Sequence, residues 1–151
     1  MKRKFQRITK AEVIKAQHFW AKYVTEQNVE KLLDLYDFGN PEEPLLFKPT
    51  LADVIRTDRN GARSYFVGGN SLFPQDKGFL KNEWKLVKFN SIAGPIPSPG
   101  GLGYRDMGHY DFVNAEDKTT SADYTFVYHK LDNSVLISLH HSSLAWKPQN
   151  Q

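Results

Sequence analysis

The order in which two hydrophobic periods occur constrains this chain more than any other feature. Up to about residue 40, apolar residues recur at helical spacing. From Trp84 to Trp146 they fall instead into four long runs of β character: Trp84–Asn90, Tyr104–Asn114, Ser121–Lys130 and Val135–Trp146. Asn114–Lys118 and Asp132-Asn133-Ser134 between them are polar and of hairpin length. Helices first and antiparallel strands afterwards predict an α+β fold, with the N-terminal helices packed on one face of a mostly antiparallel sheet. A strongly curved sheet wrapped around a helix would make a cone with an open end.

The N-terminal signals are local and specific. Thr9-Lys10-Ala11-Glu12 has the form of a capping box. Val13, Ala16, Trp20 and Tyr23/Val24 then continue at helical spacing to about Glu26. Asn28 caps a second predicted helix with Leu32, Leu33 and Tyr36 on its apolar side, and Gly39 offers a stop. Leu45–Thr50 reads as a strand and Asp53–Thr57 as a weaker one. Asn60-Gly61 marks a turn, Ala62–Val67 reads as a short helix ended by Gly68-Gly69, and Asn70–Gly78 as a loop. Ala93–Gly103, with three Pro and four Gly, forms an irregular connection. The expected organisation is a basic arm over residues 1–8 and a single domain over 9–148.

Composition removes several classes of function. The net charge of +3 is concentrated in Lys2, Arg3, Lys4, Arg7 and Lys10, without the basic stripe of a nucleic-acid protein; a frayed, solvated arm is expected. No apolar core follows that arm to make a secretory signal, and no window approaches the roughly 18 apolar residues of a membrane span. The absence of cysteine excludes disulfides, thiolate nucleophiles and thiolate metal sites, and a cytoplasmic location is expected.

The last strand carries the most chemistry. Strict alternation places Ile137, Leu139, His141 and Ser143 on one face and Leu136, Ser138, His140, Ser142 and Leu144 on the other. The first face passes from large aliphatics into polar groups, as a strand leaving a core for a pocket would, so His141 and Ser143 are the expected pocket pair. The other face suits a solvated or dimer-forming surface. Five histidines are present, without His-x-His or His-Glu-x-x-His spacing, and the adjacent pair faces opposite ways, so no metal is expected. Neither a nucleophile elbow nor a phosphate-binding glycine loop is present. What remains is a set of hydroxyls (Thr50, Tyr65, Tyr124 or Tyr128, Ser143) with one imidazole that titrates near neutrality. Such a set can hold a small oxyanion through directed hydrogen bonds.

Phe47-Lys-Pro-Thr-Leu51, Ser64-Tyr-Phe-Val-Gly-Gly69, Asp76-Lys-Gly-Phe-Leu80, Tyr124-Thr-Phe126 and His140-His-Ser-Ser143, in that order, resemble the iota-class carbonic anhydrases over nearly the whole chain. The resemblance implies a fold like nuclear transport factor 2 and the kinase II association domain. It also implies interconversion of carbon dioxide and bicarbonate and pocket residues Thr50, Tyr65, His141 and Ser143. The scarcity of ligand spacing favours the kind that works without a metal or other cofactor, and a homodimer through the exposed sheet face is expected. In this reading Thr50, Tyr65 and Ser143 bind the substrate. Two rival readings use the same fold: an isomerase, for which Asp53, Asp111 and Asp123 are the candidate bases, and a non-catalytic association or ligand-binding module.

Overall fold

The computed structural model describes residues 3–149. Helix α1 (Lys10–Thr25) begins at Thr9, where the expected capping box forms: the Thr9 side chain accepts from the Glu12 amide and Glu12 reaches back to the Thr9 amide. Its buried stripe is Val13, Ala16, Gln17, Trp20 and Val24. Helix α2 (Val29–Leu33) is capped by Asn28 and is a single turn and a half, so Tyr36 lies beyond it. Helix α3 (Arg59–Val67) is capped by Asp58, which accepts from the Gly61 amide at 2.7 Å, and ends at Gly68. It therefore absorbs Asn60-Gly61, read from sequence as a turn.

Seven strands form one sheet. Strand β1 (Phe5–Gln6) pairs with the end of β6 (Thr119–Leu131), and β4 (Ile96–Pro97) pairs with the start of β5 (Gly103–Asn114). The main path runs β2 (Leu46–Lys48), β7 (Ser134–Leu144), β6, β5, β3 (Trp84–Ser91). All neighbours on the path are antiparallel except β2 and β7, which are parallel. Helix α1 crosses the face made by β3 and β7, so the layer order predicted from sequence is the observed one.

Two expectations are corrected here. The sheet is not strongly curved into a cone: β2 and β3 remain its two outer strands and do not pair with each other, and β2 is only three residues long. With β2 and β3 unpaired to each other the sheet is open, and the helices close the core over it. The N-terminal segment is not a frayed arm either. Phe5 and Gln6 add strand β1, Ile8 is buried, and Arg3 pairs with Asp37, which also lies 2.8 Å from His129 Nε2. Lys2, counted in that arm, lies outside the described residues. The weaker strand at Asp53–Thr57 is reduced to one bridge between Phe47 and Arg56.

Candidate active site

Strand β7 does not alternate strictly. Val127 on β6 faces Leu139, but the next residue, Tyr128, faces Ile137, which leaves Ser138 as the extra residue of a β-bulge. The bulge moves the inward face by one position beyond it. Ile137 is buried, and so are His140 and Ser142, each 2 % exposed, whereas His141 and Ser143 are exposed. This corrects the expected pocket pair: His141 and Ser143 stand on the outer face, across from Thr125 and Asp123. The inner pair is His140 and Ser142. Thr50 and Tyr65 do reach the same place.

The inner groups form one continuous chain of hydrogen bonds. Trp20 Nε1 donates to the Tyr36 hydroxyl at 2.9 Å. That hydroxyl meets His140 Nδ1 at 2.9 Å, and the Tyr110 hydroxyl meets His140 Nε2 at 3.0 Å. Tyr110 donates to Ser142 Oγ, which in turn bonds Thr50 Oγ1. The imidazole lies between the rings of Phe126 and Phe47, with centroids at 4.0 and 4.8 Å and both stacked. Burial, with a smaller contribution from neighbouring His141, holds the His140 pKa well below the usual imidazole range. Burial likewise raises Tyr36 and Tyr110 well above the usual phenol range, and raises Tyr65, offset in part by the Thr50 hydroxyl. The chain is therefore composed of neutral groups at neutral pH.

Thr50, Tyr65, Tyr110, His140 and Ser142 line a small cavity of about 10 Å³ with Trp20, Phe47, Phe66, Phe79 and Phe112 among its apolar walls, roughly the room that one water occupies. Thr50, Tyr65 and Phe79 also line a second, outer space of about 400 Å³ whose rim includes Leu51, Asp76 and Lys77. They form the neck between a narrow inner end and an open vestibule. Behind Tyr65 the vestibule wall is pinned by Arg56. Its guanidinium grips Asp76 through two bonds of 2.6 and 2.8 Å, and Ser64 Oγ donates to the same carboxylate at 2.6 Å.

A second polar cluster escaped the sequence reading. Asp106 is buried and accepts from Gln17 Nε2 at 2.8 Å, Ser91 Oγ at 2.5 Å and Tyr124 Oη at 2.9 Å. Its donors come from α1, β3 and β6, so no local pattern announces it. It ties helix to sheet and does not line the cavity. The three aspartates proposed as isomerase bases are not in the cavity: Asp53 is exposed, and Asp111 and Asp123 bond Ser121 and His109. Among the described residues no three His, Cys, Asp or Glu side chains are grouped to hold a metal ion, and no helix is long and apolar enough to cross a membrane.

Comparison with known proteins supplies the context for this geometry. The family of metal-independent carbonic anhydrases matches residues 7–144. A metal-independent carbonic anhydrase from Nostoc sp. is 35% identical over 93% of this chain and 75% of its own length. A crystal structure of the iota-carbonic anhydrase from a cyanobacterium, complexed with bicarbonate, superposes with a TM-score of 0.84 at 32% identity, covering 98% of this chain and 100% of that one. A calcium/calmodulin-dependent kinase II association domain from Xanthomonas campestris has the same fold, with a TM-score of 0.62 at 23% identity over 98% and 99% of the two chains.

Proposed function

This chain belongs to the metal-independent carbonic anhydrases, lyases that interconvert carbon dioxide and bicarbonate, and we propose that the reaction takes place at the neck formed by Thr50 and Tyr65. The single observation that carries this placement is the convergence of four hydroxyl-bearing side chains, Thr50, Tyr65, Tyr110 and Ser142, with His140 on a cavity whose remaining walls are apolar. The inner cavity alone is too small for a four-heavy-atom anion. Bicarbonate therefore straddles the neck, with its charged oxygens on the hydroxyls.

The chemistry follows from that placement. The aromatic walls shelter carbon dioxide, which has no net charge to desolvate. Water from the vestibule attacks its carbon: a C–O bond forms as one C=O π pair moves onto oxygen, an O–H bond of the water breaks, and that proton leaves through the vestibule to solvent. Charge develops on the carbonate oxygens during attack, and fixed hydroxyl donors in a site of low dielectric stabilise that charge more than the neutral reactants. His140, neutral and held on both nitrogens, fixes the orientation of Tyr110 and through it Ser142.

The test is carbon dioxide hydration by stopped flow after exhaustive chelation. Activity should survive chelation, fall about 100-fold in Ser142→Ala, and stay within about twofold of wild type in Ser143→Ala, whose side chain is outside the core. Equal losses in the two variants would sink the assignment. The outer sheet face, where Met107 is 65 % exposed in the same row as Thr125 and His141, supports a homodimer through that face. Sedimentation of wild type and Met107→Lys would test it, with monomeric wild type the contrary result. A cytoplasmic setting belongs to the same proposal, supported by a sequence with no cysteine to oxidise.

A further inference from the structure

The hydrogen-bond chain has a direction, and its inner end sets it. An indole N–H can only donate, and each hydroxyl has one hydrogen to give. Trp20 Nε1 donates to Tyr36, so the Tyr36 hydrogen has only one acceptor within reach, His140 Nδ1. An Nδ1 that accepts is unprotonated. In a neutral imidazole the hydrogen then sits on Nε2 and points at the Tyr110 oxygen. Tyr110 can then donate to Ser142, Ser142 to Thr50, and the Thr50 hydrogen is left for the neck of the cavity, where the Tyr65 oxygen is also within its reach.

We infer that Trp20 is a positioning residue: its donor-only indole selects the Nε2–H tautomer of His140 and so turns the Thr50 hydroxyl into a hydrogen-bond donor facing the substrate. The opposite polarity would satisfy the same number of bonds, but it would strand the Tyr36 hydrogen. Tyr36 is 3 % exposed, and its oxygen would then face two donors, Trp20 and His140, with no acceptor for its own proton. A stranded buried donor costs about 1–3 kcal/mol, enough to hold one polarity. A site that presents a donor at its neck is set to receive an anion rather than to accept a proton from water. The tautomer assignment stands on the protein alone; its consequence for bicarbonate rests on the placement of the reaction given above.

The experiment is a two-bond proton–nitrogen correlation on protein labelled with ¹⁵N-histidine, with His140 assigned by its loss in His140→Asn. Wild type should show His140 with the proton on Nε2. In Trp20→Phe the space vacated beside the Tyr36 oxygen admits water, which can take the phenolic proton. The Nδ1–H form should then appear, and the KM for bicarbonate should rise about tenfold, the equivalent of one hydrogen bond, with a smaller change in kcat. Wild-type His140 with its proton on Nδ1 would overturn the inference, and that spectrum decides the matter even if the variant does not fold. A folded Trp20→Phe whose tautomer is unchanged would overturn the role of Trp20. A tautomer shift with no change in KM would leave the polarity standing and refute the neck as the substrate site.

Discussion

Thr50 and Tyr65 carry the hydroxyls of the neck that the inner cavity and the open vestibule share, so single oxygen atoms there should decide turnover. Thr50→Val keeps the shape of the side chain and removes the hydroxyl that ends the chain from His140. It also leaves Ser142 without its Thr50 partner. Its kcat/KM for hydration should fall about 100-fold, and Tyr65→Phe about 10-fold or more, as expected for the loss of one donor at a developing anion. Both variants should remain folded, since each loses one hydroxyl, at a cost of about 1–3 kcal/mol, against a domain stability of about 5–15 kcal/mol. Near wild-type kcat/KM in both, measured by stopped flow, would move the reaction elsewhere.

At the scale of elements, the sequence announced the helices and long strands, but it could not announce the parity of β7. Its capping box, its two hairpin turns and its two hydrophobic periods are local signals, and each produced the element it specified, whereas the turn signal Asn60-Gly61 was overridden by the Asp58 cap of α3. The bulge at Ser138 arises from contacts distant in sequence. Ile137 pairs with Tyr128 on one side, while its backbone exchanges bonds with Leu35 and Asp37 on the other, at 2.8 and 2.9 Å. Beyond the bulge the same edge is taken by β2. One extra residue lets β7 serve both neighbours, and a reading by strict alternation therefore put the wrong histidine and serine inside. Thr50 and Tyr65 were legible because short motifs carried them. The element that holds Tyr65 can be tested through Asp76. Burial opposes ionisation of Asp76, but the Arg56 guanidinium and the Ser64 hydroxyl outweigh it and hold its pKa below the usual carboxylate range. Asp76→Asn leaves a guanidinium that is almost fully buried without its counter-charge. Urea unfolding should show a loss of about 3–5 kcal/mol, and a loss under 1 kcal/mol would show that the ion pair does not pin the vestibule loop to α3.

Because the sheet stays open, the whole molecule depends on α1, α2 and α3 to cover a core that contains an imidazole rather than hydrocarbon alone. That choice makes global stability depend on pH, with a sign fixed by linkage. The folded His140 pKa lies well below the ordinary value of 6.5, through burial first and His141 second. Below pH 6.5 the unfolded chain binds a proton that the folded chain refuses, so stability is fully present above that pH and declines as pH falls toward the folded pKa. His129 shifts in the same direction, burial outweighing the pull of Asp37, and adds to the slope. Asp37 and Asp76, whose pKa values are lowered, lose their contributions only at more acidic pH. Between pH 6.5 and 5.5 one such histidine should remove about 1 kcal/mol, approaching 1.4 kcal/mol for each further unit. Urea unfolding at a series of pH values should show this decline in wild type and a slope shallower by about one proton in His140→Asn. An unchanged slope in that variant would mean that the buried imidazole takes up its proton without cost, and that the helices do not seal the cavity from water.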